Sequence, residues 1–252
     1  LRYYPEEEAN DEVFAEKIAK STGVRYFVQD GFGVVHRAHA STDAITHFIP
    51  SVSGLLLERE YVTIAGAMER PKRPLVAVMG GAKVSDKITV IERLVDVADK
   101  IIIGGAMANT FLTYKGHHMG SSMVEPGQEP VLDGIYQAAH KKLDTSIDEF
   151  IILPTDVAVA AEIGEAATRK NVKLGNLNET DRALDIGDAT IERVAEEVSK
   201  AKMVSWDGTL GYAELPEFAH GSARLALTLA TNPEIDSIIG GGDTADFVLK
   251  WD

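Results

Sequence analysis

One stretch constrains this chain more than any other: Pro74-Leu-Val-Ala-Val-Met-Gly-Gly-Ala-Lys83-Val-Ser-Asp-Lys87. The apolar run from Leu75 to Met79 is expected to form a buried strand. Gly80 and Gly81 end it and let the backbone turn sharply. Lys83 and Lys87 follow as a helix begins, and their four-residue spacing puts two ammonium groups on one helix face. Like charges at that spacing repel, so the pair gives the helix nothing by itself. An anion held between them would remove the cost. A strand, two glycines and two lysines at a helix N-terminus together describe a phosphate site. The Walker A pattern G-x-x-x-x-G-K-[ST] is absent, and a βα turn carrying two solvated lysines is the competing reading.

The basic residues matter because the chain is acidic: Lys+Arg is 25 against Asp+Glu 39, a formal net charge of −14 over 252 residues. That balance argues against a general nucleic-acid binder or an anionic-membrane binder, which needs a basic face. It also makes a second basic spot, His36-Arg37-Ala-His39, informative. Arginine suits bidentate phosphate or carboxylate binding. The two histidines read more simply as ordinary loop or core residues. With no cysteine, disulfides and thiolate chemistry are excluded, and the composition fits a cytoplasmic protein. No apolar run reaches the roughly 18 residues of a membrane span. The opening Leu1-Arg-Tyr-Tyr-Pro lacks an initiating Met, so the chain is expected to be an internal portion of a longer one.

Taken in order, Glu6 to Lys20 reads as a helix that Asp11 can cap, and Val24 to Val28 as a strand. Ser51 to Arg70 reads as a long helix bounded by Pro50 and Pro71, a candidate connection between domains. From Pro74 the rhythm is strand, glycine turn, helix, repeated. Helices are expected over 86–97, 106–112, 129–143, 188–200 and 216–230. Strands are expected over 100–103, 150–159, 202–206 and 235–239. Asp188 is expected to cap the helix it opens. Such alternation predicts an α/β fold with mainly parallel sheets and helices on both faces. Ligands of such sheets bind outside the carboxyl ends of the strands. The glycines gather there: Gly80, Gly81, Gly104, Gly105, Gly208, and Gly240 to Gly242. Converging strand ends therefore predict a crevice for a nucleotide-sized ligand. Gly240 to Ala245 also fits the dinucleotide fingerprint G-x-G-x-x-A, but the acidic residue expected about 20 positions later would fall beyond Asp252. Asp243 could offer a carboxylate to Mg²⁺ or simply cap the next helix; the sequence leaves both open.

Six ordered motifs then carry a resemblance: Asp30-Gly-Phe-Gly-Val-Val-His-Arg-Ala-His, Gly80-Gly-Ala-Lys-Val-Ser-Asp-Lys, Ile102-Ile-Gly-Gly-Ala-Met-Ala-Asn-Thr-Phe, Leu153-Pro-Thr-Asp-Val, Leu184-Asp-Ile-Gly and Ile239-Gly-Gly-Gly-Asp-Thr-Ala. Together they closely resemble the phosphoglycerate kinase family, over essentially the whole chain. The resemblance implies two Rossmann-like domains. Residues 1–50 would be the remainder of the amino-terminal phosphoglycerate-binding domain, 51–71 an interdomain hinge helix, and 72–252 the nucleotide-binding domain. It implies reversible, direct phosphoryl transfer between 1,3-bisphosphoglycerate with ADP and 3-phosphoglycerate with ATP, after domain closure, with Mg²⁺ as cofactor and a monomeric state.

Carried over by motif, Arg2 and Arg37 resemble residues that hold phosphoglycerate or the transferring group. Lys83 resembles the lysine that stabilises the phosphoryl group in flight, and Lys87 the one on the nucleotide's α-phosphate. Glu214 resembles a ribose-binding glutamate, Asp243 a Mg²⁺ ligand and Thr244 a phosphate contact. Gly80, Gly81, Gly104, Gly105, Gly241 and Gly242 match the nucleotide-lining turns, with Arg37, Lys83 and Gly242 implied at the transfer site. Asp207 falls among the nucleotide-site residues too, but as a departure. The family's "W-N-G-P-[ML]-G" reads Trp206-Asp207-Gly208-Thr209-Leu210-Gly211 here, which puts a negative charge near the phosphates. The family's opening "D-F-N-V-P" strand, its "H-L-G-R-P" segment and its closing "S-T-G-G-G-A" loop are also absent. A non-catalytic nucleotide-binding module or pseudoenzyme is therefore the alternative for this polypeptide. A nicotinamide dehydrogenase rests on the glycine fingerprint alone.

Overall fold

The computed structural model of the chain describes residues 1–142 and 146–250, leaving aside the side chains of Ala67 and Met68. The end of the helix expected over 129–143 therefore lies outside the described residues. Two compact units emerge, Leu1–Arg70 and Pro71–Asp252.

In the first unit the helix expected over 6–20 is two helices, α1 (Pro5–Glu8) and α2 (Glu12–Thr22). The chain breaks at Asn10, whose φ of +54° no helix accommodates. Asp11 restarts it by accepting the Phe14 N–H at 2.7 Å, as its position suggested. Ala15 of α2 is buried with Ala40, Ala44, Ile45 and Ile49, and Phe14 and Ile18 pack against that cluster. The strands β1 (Phe27–Gln29) and β2 (Ser51–Ser53) pair in parallel, with Phe27 opposite Ser51. Ser51 to Ser53 is thus extended rather than helical, because a neighbouring strand satisfies its backbone. The helix α3 begins later, at Leu55–Glu69. Its cap comes from far away in sequence: Asp30 Oδ1 accepts the N–H groups of Leu56 at 2.8 Å and Leu57 at 3.0 Å. Gly54 lets that carboxylate approach, since a Cβ there would fall 2.2 Å from Asp30 Oδ1.

The second unit runs β3 (Leu75–Met79), α4 (Ile88–Val97), β4 (Lys100–Ile103), α5 (Gly105–Tyr114), α6 (Glu129–Lys142), α7 (Ile147–Phe150) and β5 (Ile151–Ile152). It continues with β6 (Asp156–Ala160), β7 (Lys170–Lys173), β8 (Arg182–Ile186), α8 (Asp188–Ser199), β9 (Met203–Asp207), α9 (His220–Ala230), β10 (Asp236–Gly240) and α10 (Gly242–Lys250). Five strands form a parallel sheet in the order β10-β9-β3-β4-β5. Every residue of β3 is buried, as a central strand covered on both faces requires. Val76, Val78, Val204 and Trp206 pack there with Ile191, Val194 and Val198 of α8 and Leu225 of α9. The chain leaves β3 toward β4 and β5, then returns on the other side to β9 and β10. The strand order therefore reverses between β3 and β9, where the carboxyl ends of such sheets open a crevice.

The run expected as one strand over 150–159 is two strands in two sheets. Pro154 lacks the N–H a ladder needs, and beyond it β6 pairs antiparallel with β7 and β8. Asp188 does not cap α8. Gly187 holds the cap position, and Asp156 accepts the N–H groups of Thr190 at 2.8 Å and Ala189 at 3.1 Å. Asp188 instead accepts from Arg169 at 3.3 Å and from Asn171.

Arg169 is the knot of the antiparallel sheet. Its guanidinium, with a side chain only 8% exposed, donates to Asp185 Oδ2 at 2.9 Å, the Ile186 carbonyl at 3.0 Å and the Glu217 carbonyl at 3.2 Å. Asp185 also accepts the Gly221 N–H at 3.1 Å. Burial pushes the Asp185 carboxyl up to about 6, while the N–H of Gly221, the charge and hydrogen bond of Arg169 and the N–H of Ile186 pull it down. The folded value exceeds the ordinary 3.8. This group's contribution to stability is therefore complete below about pH 4 and is lost as pH rises through 6, an effect of about 3 kcal/mol. A carbon-detected NMR titration of Asp185 should show a midpoint near 6; a midpoint below 4 would remove this pH dependence.

Candidate functional site

Three basic residues of the first unit act on one carboxylate, Glu8. Arg2 Nε donates to Glu8 at 2.7 Å. That hydrogen bond and the Arg2 charge, with His39 and Arg37 nearby, hold the Glu8 carboxyl below the usual range. Arg2 is exposed and Arg37 half-buried, and the charges of Arg2, His39 and Arg37 all act on Glu8. Sequence reasoning paired the two arginines but missed Glu8, which occupies their field. Glu7 beside it turns inward and accepts from the Ser41 N–H at 3.1 Å and from its hydroxyl. This fixes the loop that carries Arg37 and His39.

The second unit builds its site from the carboxyl ends of β3, β4, β9 and β10. These turns stack backbone on backbone. The Gly80 N–H donates to the Asp207 carbonyl at 2.9 Å, Gly81 to Thr209 at 3.1 Å and Gly105 to Leu210 at 2.9 Å. A Cβ on Gly80 would fall 2.1 Å from the Thr209 carbonyl oxygen, and one on Gly208 would fall 2.4 Å from Gly80. Only glycine allows this approach, and Gly208 also takes φ +97°. Thr244 is buried, and its hydroxyl accepts the Gly208 N–H at 2.9 Å, tying the start of α10 to the end of β9.

Beside these turns lies a cavity of about 720 Å³. Gly81, Gly105, Glu214 and Asp243 line it, together with apolar side chains that include Met123, Ile163, Leu184, Tyr212 and Phe247. A mostly apolar pocket of several hundred Å³ with a few convergent polar groups is the usual form of a small-molecule site. Gly80 and Gly104 sit behind its wall, buried against Thr209 and Leu210. Gly241 and Gly242 open α10 at the surface.

The two lysines part company. Lys87 is 18% exposed, and its Nζ donates both to the Asp207 carbonyl and to Asp207 Oδ1, each at 2.9 Å. Lys83 is exposed on the loop before α4. Its charge acts on Glu125, which accepts the N–H groups of Val84 at 2.8 Å and Ser85 at 3.1 Å. Burial pushes Glu125 up, but the Ser85 and Val84 hydrogen bonds and the Lys83 charge outweigh it and leave the carboxyl below its usual range.

Sequence reasoning missed Glu125 and the apolar wall. Phe247 was within reach, four positions after Asp243 and so on the same face of α10. Met123 and Ile163 come from loops that show no periodicity. Among the described residues no helix is long and apolar enough to cross a membrane.

Comparison with known proteins agrees with this architecture. The family model for phosphoglycerate kinase matches residues 1–252. The phosphoglycerate kinase of Roseiflexus castenholzii is 45% identical over 244 residues, covering 96% of this chain and 60% of that protein. That of Moorella thermoacetica is 42% identical over 250 residues, covering 99% of this chain and 62% of that protein. The structure of phosphoglycerate kinase from Coxiella burnetii superposes with a TM-score of 0.83 at 33% identity, covering all of this chain and 63% of that one. The Pyrococcus horikoshii enzyme gives 0.81 at 28% identity, also over 63% of its length. This chain thus spans about 60% of the length of the curated relatives it matches. With the family model spanning every residue, the chain belongs to the phosphoglycerate kinase family.

Proposed function

We propose that this chain carries the nucleotide-binding part of a phosphoglycerate kinase and a portion of its phosphoglycerate site. The reaction would be reversible phosphoryl transfer between 1,3-bisphosphoglycerate with ADP and 3-phosphoglycerate with ATP. The observation that carries the reading is the cavity at the strand-order reversal, where Gly81, Gly105, Glu214 and Asp243 meet an apolar wall. The wall would take the base, Glu214 the ribose hydroxyls, and the glycine turns with Lys87 the phosphates. Arg2 and Arg37 would hold the phosphoglycerate, and α3 would serve as the hinge.

Phosphoryl transfer asks little covalent work of the protein; positioning and charge stabilisation supply most of the acceleration. Lys83, exposed on its loop, is suited to follow the group in transit, with Arg37 and the α10 end at Gly242 contributing. Mg²⁺ fits the donor set. Among the described residues no cluster of three or more His, Cys, Asp or Glu could hold a metal unaided. A cation would therefore share phosphate oxygens with Asp243, the arrangement Mg²⁺ favours. It would neutralise charge on the nucleotide. The protein's own residues would orient the phosphates and keep water away. A monomer in the cytoplasm would suffice for this role.

Lys87→Ala should weaken ADP binding about tenfold or more, because truncating one side of a half-buried charge contact leaves the other charge unpaired. Titration calorimetry checks this, and unchanged affinity would remove Lys87 from the phosphate site. In a chain of the relatives' full length, Lys83→Ala should lower turnover with little change in ADP affinity. If that full-length protein transferred no phosphoryl group to 3-phosphoglycerate, the binding-module reading, which Asp207 favours, would replace the enzyme reading.

A further inference from the structure

We propose that Asp207 is an internal competitor for the phosphate position beside Lys87, and that it makes the site prefer a cation-complexed nucleotide over the free polyanion. The proposal rests on the reading of the second unit as nucleotide-binding. Lys87 offers three donors, and two of them already point at Asp207, one at its carbonyl and one at its carboxylate, each at 2.9 Å. An arriving phosphate oxygen meets the one remaining donor and a carboxylate beside it. The contact is partly shielded, with Lys87 18% and Asp207 31% exposed, so screening by salt is incomplete.

The same oxygen also lies close to the neighbouring turn. A Cβ built on Gly241 would fall 2.8 Å from Asp207 Oδ1. Gly241 directly precedes α10, a nine-residue helix whose first N–H groups attract anions. One carboxylate oxygen thus lies at both positive features of this sheet end, the ammonium and the helix start. The chain supplies its own anion where a phosphate would otherwise be drawn.

A free nucleoside diphosphate brings its full negative charge against that carboxylate. A divalent cation lowers the charge of the incoming ligand and can itself face Asp207 and Asp243. Asp207 is in this sense a specificity residue for the charge state of the ligand. A purely structural Lys87–Asp207 pair would instead hold the β9 end to the turn before α4, and its loss would change stability but not the ratio of the two affinities.

The test is ADP affinity measured by calorimetry, once with excess Mg²⁺ and once with EDTA. It uses the whole chain, Asp207→Asn, Lys87→Met and the double variant, with Asp207→Ser as a second removal of the charge. The expected result is that Asp207→Asn tightens EDTA-treated ADP about tenfold or more, while Mg-ADP affinity changes less than about threefold. On the Lys87→Met background the part of the gain that comes from freeing Lys87 should vanish, leaving only the relief of direct repulsion between Asp207 and the phosphates. If Mg-ADP binds but both Asp207 variants leave the ratio of affinities unchanged, this proposal fails and the nucleotide site stands. If none of the proteins, the unaltered chain included, binds ADP in either condition while all melt cooperatively, the nucleotide reading fails and the proposal falls with it.

Discussion

Replacing Arg169 with Met should destabilise the second unit by about 3–5 kcal/mol at pH 7, the cost of breaking a buried ion pair by removing one partner. The substitution roughly keeps the volume of the side chain but strips Asp185 of its counter-charge. It also leaves the carbonyls of Ile186 and Glu217 without their donor. In a pocket from which its carboxylate has no access to water, Asp185 would either carry an unpaired charge or take up a proton to avoid it, and both cost stability at pH 7. The pH dependence identifies the cause. Burial already raises the Asp185 carboxyl to about 6, and losing the arginine raises it further. The deficit should therefore shrink as pH falls through that window and Asp185 takes up a proton. Urea unfolding at pH 7 and pH 5 checks both parts. A loss under 1 kcal/mol at pH 7, or a loss equal at the two pH values, would show that the network contributes through packing instead.

Gly80→Ala should be nearly as damaging and should abolish ADP binding. The new methyl would lie 2.1 Å from the Thr209 carbonyl oxygen and 2.6 Å from that of Gly208. Both obstacles are backbone, and both belong to the turn that ends β9. Relief requires β3 and β9 to part at their carboxyl ends, breaking the Gly80 N–H contact to Asp207 and the Gly81 contact to Thr209. Overpacking of this kind typically costs 1–3 kcal/mol and occasionally more; with rigid backbone on the far side, the upper end, about 3 kcal/mol, is expected. Gly134→Ala is the control. It lies within α6 with nothing within 4 Å of an added Cβ, and it should stabilise by about 0.5–1 kcal/mol through helix propensity. Thermal melts of both variants, with ADP titrations, decide the matter. Wild-type affinity in Gly80→Ala would mean that the turn yields without disturbing the site.

The parallel sheet was legible because four of its five strands announce themselves locally. Leu75 to Met79 is an unbroken apolar run, and glycines mark where β3, β4, β9 and β10 end. The features that escaped are those settled by partners distant in sequence. Ser51 to Ser53 is a strand because β1 lies beside it, and no local pattern says so. The α8 cap comes from Asp156 rather than Asp188, because Gly187 brings the end of β8 against Asp156, where a Cβ would fall 2.3 Å from its carboxyl carbon. The candidate site divides the same way. Lys87 and Asp207 each stood out in the sequence, but their contact bridges 120 positions and depends on the β3–β9 pairing. Spacing put Lys83 and Lys87 on one helix face. In the structure Ser85–Lys87 is a 3₁₀ turn and α4 starts only at Ile88, so the four-residue helical relation does not hold. Met123 and Ile163 reach the cavity from loops, where no periodicity exists to be read.

The most direct test of the account is a calorimetric titration of this 252-residue chain with Mg-ADP. The cavity, the glycine turns and Asp243 all belong to the second unit, so saturable binding at one site per chain is expected. A chain that melts cooperatively yet releases no heat and shows no thermal shift with Mg-ADP would contradict the assignment of that cavity to a nucleotide.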